Sequence, residues 1–239
     1  MSESRLSRGL PGAVLKLLGA GDHTLTVTER QQLTPHYLRL TFTAGDLLTA
    51  HALHPTMWIR MWFADGDKLH QRGYTLVDPD PQAGTVAIEF ALHDGVAANW
   101  ARNAKPGDSV DVTVLGSNFA LPQPRPAGYI IVGDTASLPA VNSLLDAIED
   151  TPSWVFLEAA HEDDKQLPVR GRATDVEWVD RKNNGEALIQ AISSSVFDAS
   201  DHFGWVACDN RTTRAVAKVL REDYRMPRKS IKAQAYWVA

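Results

Sequence analysis

The chain has 239 residues, 44% of them hydrophobic and 22% charged, with 24 Lys and Arg against 29 Asp and Glu and a formal net charge of −5. That acidic balance excludes a general nucleic-acid binder, which needs a net basic surface. The single cysteine, Cys208, excludes an intrachain disulfide and a four-cysteine iron–sulfur centre. Residues 1–10 carry no apolar core of signal-peptide length, and no run approaches the ~18 apolar residues of a membrane span, so a cytoplasmic protein without a membrane partner is expected.

Residues 1–21 read as a polar tail with a short amphipathic turn at Val14–Leu18. From His23 the apolar pattern alternates with period two. Strands are predicted at Thr24–Thr28, Tyr37–Phe42, Met57–Phe63, Leu69–Val77, Thr85–Leu92 and Ser109–Leu115, punctuated by Pro35, Pro55, Gly66, Pro79, Gly84 and Pro106-Gly107. Six short strands with one inserted helix, Val96–Ala104, predict a small closed antiparallel barrel over residues 22–120. Three prolines within Leu121–Pro126 make residues 121–127 a linker.

Over residues 128–239 the pattern changes. Gly128–Val132 is continuously apolar, as in a strand buried on both faces. A helix is expected at Leu138–Ile148, strands at Trp154–Leu157 and Thr174–Val179, and a helix at Gly185–Ser193. Then come a strand at His202–Ala207, a helix at Thr212–Arg225 and a last strand at Ala233–Val238. Such alternation predicts a parallel sheet covered by helices. A barrel followed by an open α/β domain resembles the ferredoxin-reductase plan, in which the barrel holds a flavin and the α/β domain brings a nicotinamide to it.

Arg72-Gly73-Tyr74-Thr75 stands in the polar break between two apolar runs. Its guanidinium can grip a phosphate in a planar fork, its phenol ring can lie against an isoalloxazine, and its hydroxyl can donate to a flavin edge. The same residues also suit an ordinary strand edge with an exposed Arg and a half-buried Tyr. Gly95-Val96-Ala97-Ala98 opens a helix with little side-chain bulk, so its free N–H groups are a candidate pyrophosphate cradle, or simply a tightly packed helix start. Trp100 reads as a core anchor. No Gly-x-Gly-x-x-Gly is present; Thr135 and Ser137 stand where that loop would be and can face a flavin or nicotinamide, while Ser137 also suits a helix N-cap before Pro139. His51 and His54 have no evident third ligand, so no metal site is expected. Cys208 reads as a small buried hydrophobe. His161-Glu162-Asp163-Asp164 reads as a solvated acidic loop. Arg225, Arg228, Lys229 and Lys232 are either a solvated loop or a patch that attracts an anion.

Taken in order, Arg72-x-Tyr74-Thr75, His93-…-Gly95-x-Ala97-…-Trp100-Ala101, Pro106-Gly107-Asp108, Gly133-Asp134-…-Leu138-Pro139-Ala140, Trp205-Val206-Ala207, Leu220-Arg221 and Tyr236-Trp237 resemble the siderophore-interacting protein family. The resemblance implies a six-stranded antiparallel Greek-key barrel that binds FAD, followed by an NAD(P)H-binding-like parallel-sheet domain. It implies reduction of ferric siderophores with electrons from NAD(P)H or a ferredoxin. It also implies that Arg72 meets the FAD phosphates, Tyr74 stacks on the flavin and Thr75 bonds its edge. His93, Gly95, Val96, Ala97, Ala98, Thr135, Ser137 and Trp237 complete the cofactor site, and Arg228, Lys229 and Lys232 attract the ferric siderophore. The chain departs from the family pattern at Val77, where an Arg is usual, at Ala98 and Asn99, where Ser and Arg are usual, and at Ala136, Cys208 and Asp209. Two other readings stay open: a flavin reductase with a different acceptor, and a non-enzymatic siderophore-binding protein that has lost FAD.

Overall fold

Residues 21–171 and 174–238 are described by a computed structural model, which separates after Phe119 into two compact units. The Val14–Leu18 turn lies outside the described residues. Among those described, no helix is long and apolar enough to cross a membrane.

In the first unit the period-two pattern becomes seven strands: β1 (Gly21–Thr34), β2 (Tyr37–Thr43), β3 (Trp58–Asp65), β4 (Lys68–Thr75), β5 (Val77–Asp80), β6 (Thr85–Ala91) and β7 (Ser109–Val114). They form one antiparallel sheet in the order β4-β3-β7-β1-β2-β6-β5. β1 is long enough to serve two partners, β7 through Gly21–Thr26 and β2 through Thr26–Thr34, with a register shift between Val27 and Glu29. Leu25, Val27, Leu40, Phe42, Ile59, Met61, Ile88 and Phe90 point to one side and are buried in a common core. Burying each large apolar side chain stabilises by about 1.5–3 kcal/mol, so this alternation supplies much of what holds the curled sheet together. Two short helices complete it: α1 (Leu47–Ala50), which buries Leu47 and Leu48, and α2 (Val96–Asn103), which buries Ala97, Ala98 and Ala101.

The closed six-stranded barrel is corrected in one place. Leu69–Val77 is not one strand but the end of β4 and the start of β5, broken at Leu76, whose N–H donates to the Met57 carbonyl. β4 pairs with β3 and β5 with β6, so the two edges of the sheet are consecutive in the chain and the curl remains an open half-barrel at that seam.

The second unit holds β8 (Tyr129–Asp134), α3 (Leu138–Ile148), β9 (Ser153–Ala159), β10 (Thr174–Asp180), α4 (Glu186–Ser194), β11 (Phe203–Ala207), α5 (Asn210–Glu222) and β12 (Ile231–Ala233). Its strands form a parallel sheet in the order β10-β9-β8-β11-β12. Central β8 is buried along its whole length, as its unbroken apolar run predicts. The expected last strand, Ala233–Val238, is displaced: ladder pairing covers Ile231–Ala233, and beyond it the Gln234 and Tyr236 N–H groups donate to the Val206 and Cys208 carbonyls and a bridge joins Trp237 to Asp209. α5 begins at Asn210, two residues before the predicted Thr212, because the Asp209 carboxylate accepts from the Arg211 and Thr212 N–H groups. It stops three residues early, since Arg225 turns left-handed at φ 58°. Arg125 of the Pro-rich stretch donates to Thr151 Oγ1 and so is anchored on the second unit.

Candidate flavin site

β4 carries Arg72 and Tyr74 on the core side of the sheet and Gly73 and Thr75 on the other. Arg72 is exposed, and its one hydrogen bond among the described residues runs from Nη1 to the Gln71 carbonyl, 2.8 Å. Tyr74 is half-buried and packs against Phe90 and Phe63, with ring centroids 4.6 and 6.1 Å apart. Burial pushes its phenol well above the usual tyrosine range, with Arg72 acting in the opposite sense. The Tyr74 hydroxyl is therefore neutral at any physiological pH.

Thr75 lies where the strand ends, 4% exposed, and its Oγ1 has no hydrogen-bond partner. An unsatisfied buried hydroxyl costs about 1–3 kcal/mol, so its persistence points to a ligand that completes it. The register pairs Trp58 with Thr75 and Arg60 with Gly73, which puts all four on one face. Arg60 stacks over the Trp58 ring at 4.8 Å, its Nε is buried without a partner, and burial lowers its guanidinium from the usual value without discharging it. Sequence reading missed Arg60 and Trp58. The signal was a cation at an outward-facing position inside the apolar run Met57–Phe63.

Gly95 is the N-cap of α2, with no side-chain cap bond and no acid in the first turn. The N–H groups of Val96, Ala97 and Ala98 are consequently open to an anion. The Ala97 and Ala98 side chains are buried in the core, so these residues offer backbone only. A Cβ at Gly95 would stand 2.7 Å from His93 Cε1, so the exposed His93 ring holds the space beside the cradle that only glycine leaves clear.

Thr135, Ser137 and Trp237 come together in the second unit, at the carboxyl end of β8. Ser137 Oγ accepts from the Asp134 N–H at 2.8 Å and donates to the Asp134 carbonyl at 3.1 Å, while the Ser137 N–H donates to Asp134 Oδ1 at 3.0 Å. Its hydroxyl is thus committed to the turn and fully buried rather than presented to a ligand. Ser137 is the N-cap residue of α3, with Pro139 in the first turn as expected, but it makes no side-chain cap bond. Trp237 Nε1 donates to Asp134 Oδ2 at 2.7 Å, and Arg181 lies over the indole at 5.2 Å while holding Glu158 through Nε. Burial pushes both the Asp134 and the Glu158 carboxyl groups upward, against the Trp237, Ser137 and Arg181 contacts that pull them down. Burial, and then the nearby carboxylates, push the Cys208 thiol well up, which suits a packed hydrophobe and not a nucleophile. Arg228 and Lys229 are exposed on a short turn before β12, and Lys232 is half-buried on it. None of the three makes an ion pair among the described residues, whereas Arg225 faces Asp198 at 3.6 Å.

Residues 126–239 match the family described as "Siderophore-interacting protein", and residues 52–116 match the "Siderophore-interacting FAD-binding domain". The chain belongs to the siderophore-interacting protein family. Similar proteins include the mycobactin import ATP-binding/permease protein IrtA of Mycobacterium tuberculosis, 35% identical over 98% of this chain but only 28% of that protein. The chain therefore spans little more than a quarter of that relative. Ferric vibriobactin reductase ViuB of Vibrio cholerae is 25% identical over 89% of this chain and 88% of its own. In fold the chain is similar to the siderophore-interacting protein SipS of Aeromonas hydrophila, with a TM-score of 0.79 at 20% identity, covering 92% of this chain and 99% of that one. More distant likenesses of fold are ferredoxin-reductase-like flavoproteins. FAD is the cofactor of such a domain, and the first unit of this siderophore-interacting protein fits it: an exposed Arg72, an orphaned Thr75 hydroxyl and a small-residue helix start with no side-chain cap bond.

Proposed function

We propose that the chain is a reductase of ferric siderophores that works through FAD, with electrons drawn from NAD(P)H or a ferredoxin. The observation that carries this reading is the buried, unpartnered Thr75 hydroxyl at the end of β4, three residues along the chain from the exposed Arg72. FAD, when bound, supplies two-electron uptake from a donor and one-electron delivery to a metal. Arg72 and the N–H groups of Val96–Ala98 would hold its phosphates, Tyr74 would lie against the flavin, and Thr75 would bond its edge. Oxygen-rich siderophores hold Fe(III) far more tightly than Fe(II), so reduction releases the iron without any side-chain acid or base. The uncompensated cations Arg228, Lys229 and Lys232 supply the charge that attracts an anionic ferric chelate.

Purified protein incubated with FAD and desalted should retain flavin bands near about 375 and 450 nm. Anaerobic addition of donor should bleach them, and a ferric siderophore should restore them with stoichiometric Fe(II) trapped by a ferrous chelator. Protein that stays colourless sinks the reading in favour of a carrier without flavin. Yellow protein that bleaches but is not reoxidised by ferric chelates points to another acceptor.

A further inference from the structure

The first turn of α2 carries no cation: Val96, Ala97, Ala98 and Asn99 are all uncharged. Arg102 stands in the last turn of the same helix. Long helical side chains lean back toward the N-terminus, and this one does: Nη1 donates to Asn99 Oδ1 at 2.7 Å and to the His93 carbonyl at 3.1 Å. His93 precedes the N-cap by two residues and Asn99 closes the first turn. The guanidinium is therefore held beside the open N–H groups, although its backbone sits near the other end.

That placement runs against helix electrostatics. A cation is favoured near a helix C-terminus and disfavoured near the N-terminus. Arg102 could stay at the favourable end and instead turns to the unfavourable one. Asp94 stands between His93 and the N-cap, but Arg102 makes no ion pair with it or with any other carboxylate among the described residues. Its Nε and Nη2 donors make no bond among the described residues, so most of the five-donor fork remains available. A negatively charged ligand at the cradle reverses the sign of the penalty, because guanidinium and helix terminus then share one anion.

We propose that Arg102 is a diphosphate-binding residue of the FAD site, delivering along the helix the positive charge that position 99 lacks. The inference rests on the FAD site described above and extends it to a residue outside the motifs. The test is titration of the deflavinated protein with FAD, read by quenching of flavin fluorescence, for wild type, Arg102→Gln, Arg102→Lys and the double variant Asn99→Arg/Arg102→Gln. Gln removes the charge and also shortens the side chain, whereas Lys keeps the charge and nearly the full reach. FAD affinity should fall about tenfold in Arg102→Gln. It should fall less in Arg102→Lys and return toward wild type in the double variant, with the melting temperature of the flavin-free protein unchanged throughout. Equal FAD affinity in wild type and Arg102→Gln overturns the inference alone. So does a loss of affinity that follows a fall in melting temperature and is not recovered by Asn99→Arg, since Arg102 would then only brace the helix. If wild type takes up no FAD, the inference and the FAD reading fall together.

Discussion

Thr75 shows how one atom carries functional information. Its hydroxyl is buried without a partner, and the neighbouring Arg60 Nε on the same face is in the same condition. Two such atoms on adjacent register pairs mark a surface that folds at a cost and recovers it when something binds. Thr75→Val keeps the shape and removes the polar atom. It should leave the flavin-free protein as stable or more stable, by about 1 kcal/mol in a denaturant titration, while weakening FAD binding. A variant that is destabilised without FAD and binds it normally would assign the hydroxyl to the fold. Ser137 teaches the converse. From sequence it is a hydroxyl at a strand end, as suitable for a ligand as Thr75; in the structure both of its hydrogen-bonding capacities are used by Asp134.

At the scale of elements, α1 is the informative piece. It inserts Leu47 and Leu48 into the sheet core, and the residues flanking it, Asp46 and His51, both close on His23 of β1. Asp46 Oδ1 bonds His23 Nδ1 at 2.7 Å, and His51 Nε2 meets His23 Nε2 at 3.0 Å. A hydrogen bond between two ring nitrogens needs a proton on one and a lone pair on the other, so the clasp fails when both carry protons. Burial, and then the nearby His23, hold the His51 imidazolium below the usual histidine value, and His23 holds the Asp46 carboxyl below the usual carboxylate value. For His51 the folded pKa is the lower one, so the unfolded chain binds more protons and stability rises with pH. The contribution is complete above the unfolded value of roughly 6.5 and is lost as pH falls through the lower folded value. The melting temperature of the flavin-free protein should drop between pH 7.5 and pH 5, and the drop should shrink in His51→Gln. Identical pH profiles would show that the clasp does not hold α1. His54, three residues from His51, takes no part in this clasp and turns to the Pro55 and Ser117 carbonyls.

For the molecule as a whole, the relevant scale is charge. The chain carries a net −5, yet Arg228, Lys229 and Lys232 stand together without ion pairs among the described residues. A local positive field on an acidic protein selects anions at that place, within a screening length of ~8 Å in physiological salt. Changing all three to Gln should slow reduction of an anionic ferric siderophore at low ionic strength and leave a neutral chelate nearly untouched. Stopped-flow rates measured against salt for wild type and variant decide it. Parallel profiles of equal height would make the cluster a solvated face.

Sequence alone determined what is local and periodic. Alternation in Leu25–Val27 and Leu38–Phe42 determined antiparallel strands, and the unbroken run at Ile130–Val132 a covered parallel strand. The strand-end position of Arg72–Thr75 and the small residues at Gly95–Ala98 were legible because each motif lies within a few residues of chain. Tertiary structure decided whatever depends on register and on side-chain direction. The break at Leu76, the shared face of Arg60 and Thr75, and the meeting of His23 with His51 across 28 residues have no local signature. The backward reach of Arg102 is local in sequence, but only the position of the His93 carbonyl gives it meaning. A period of two states which side a residue faces; it does not state which strand lies beside it, and functional sites are built from that second fact.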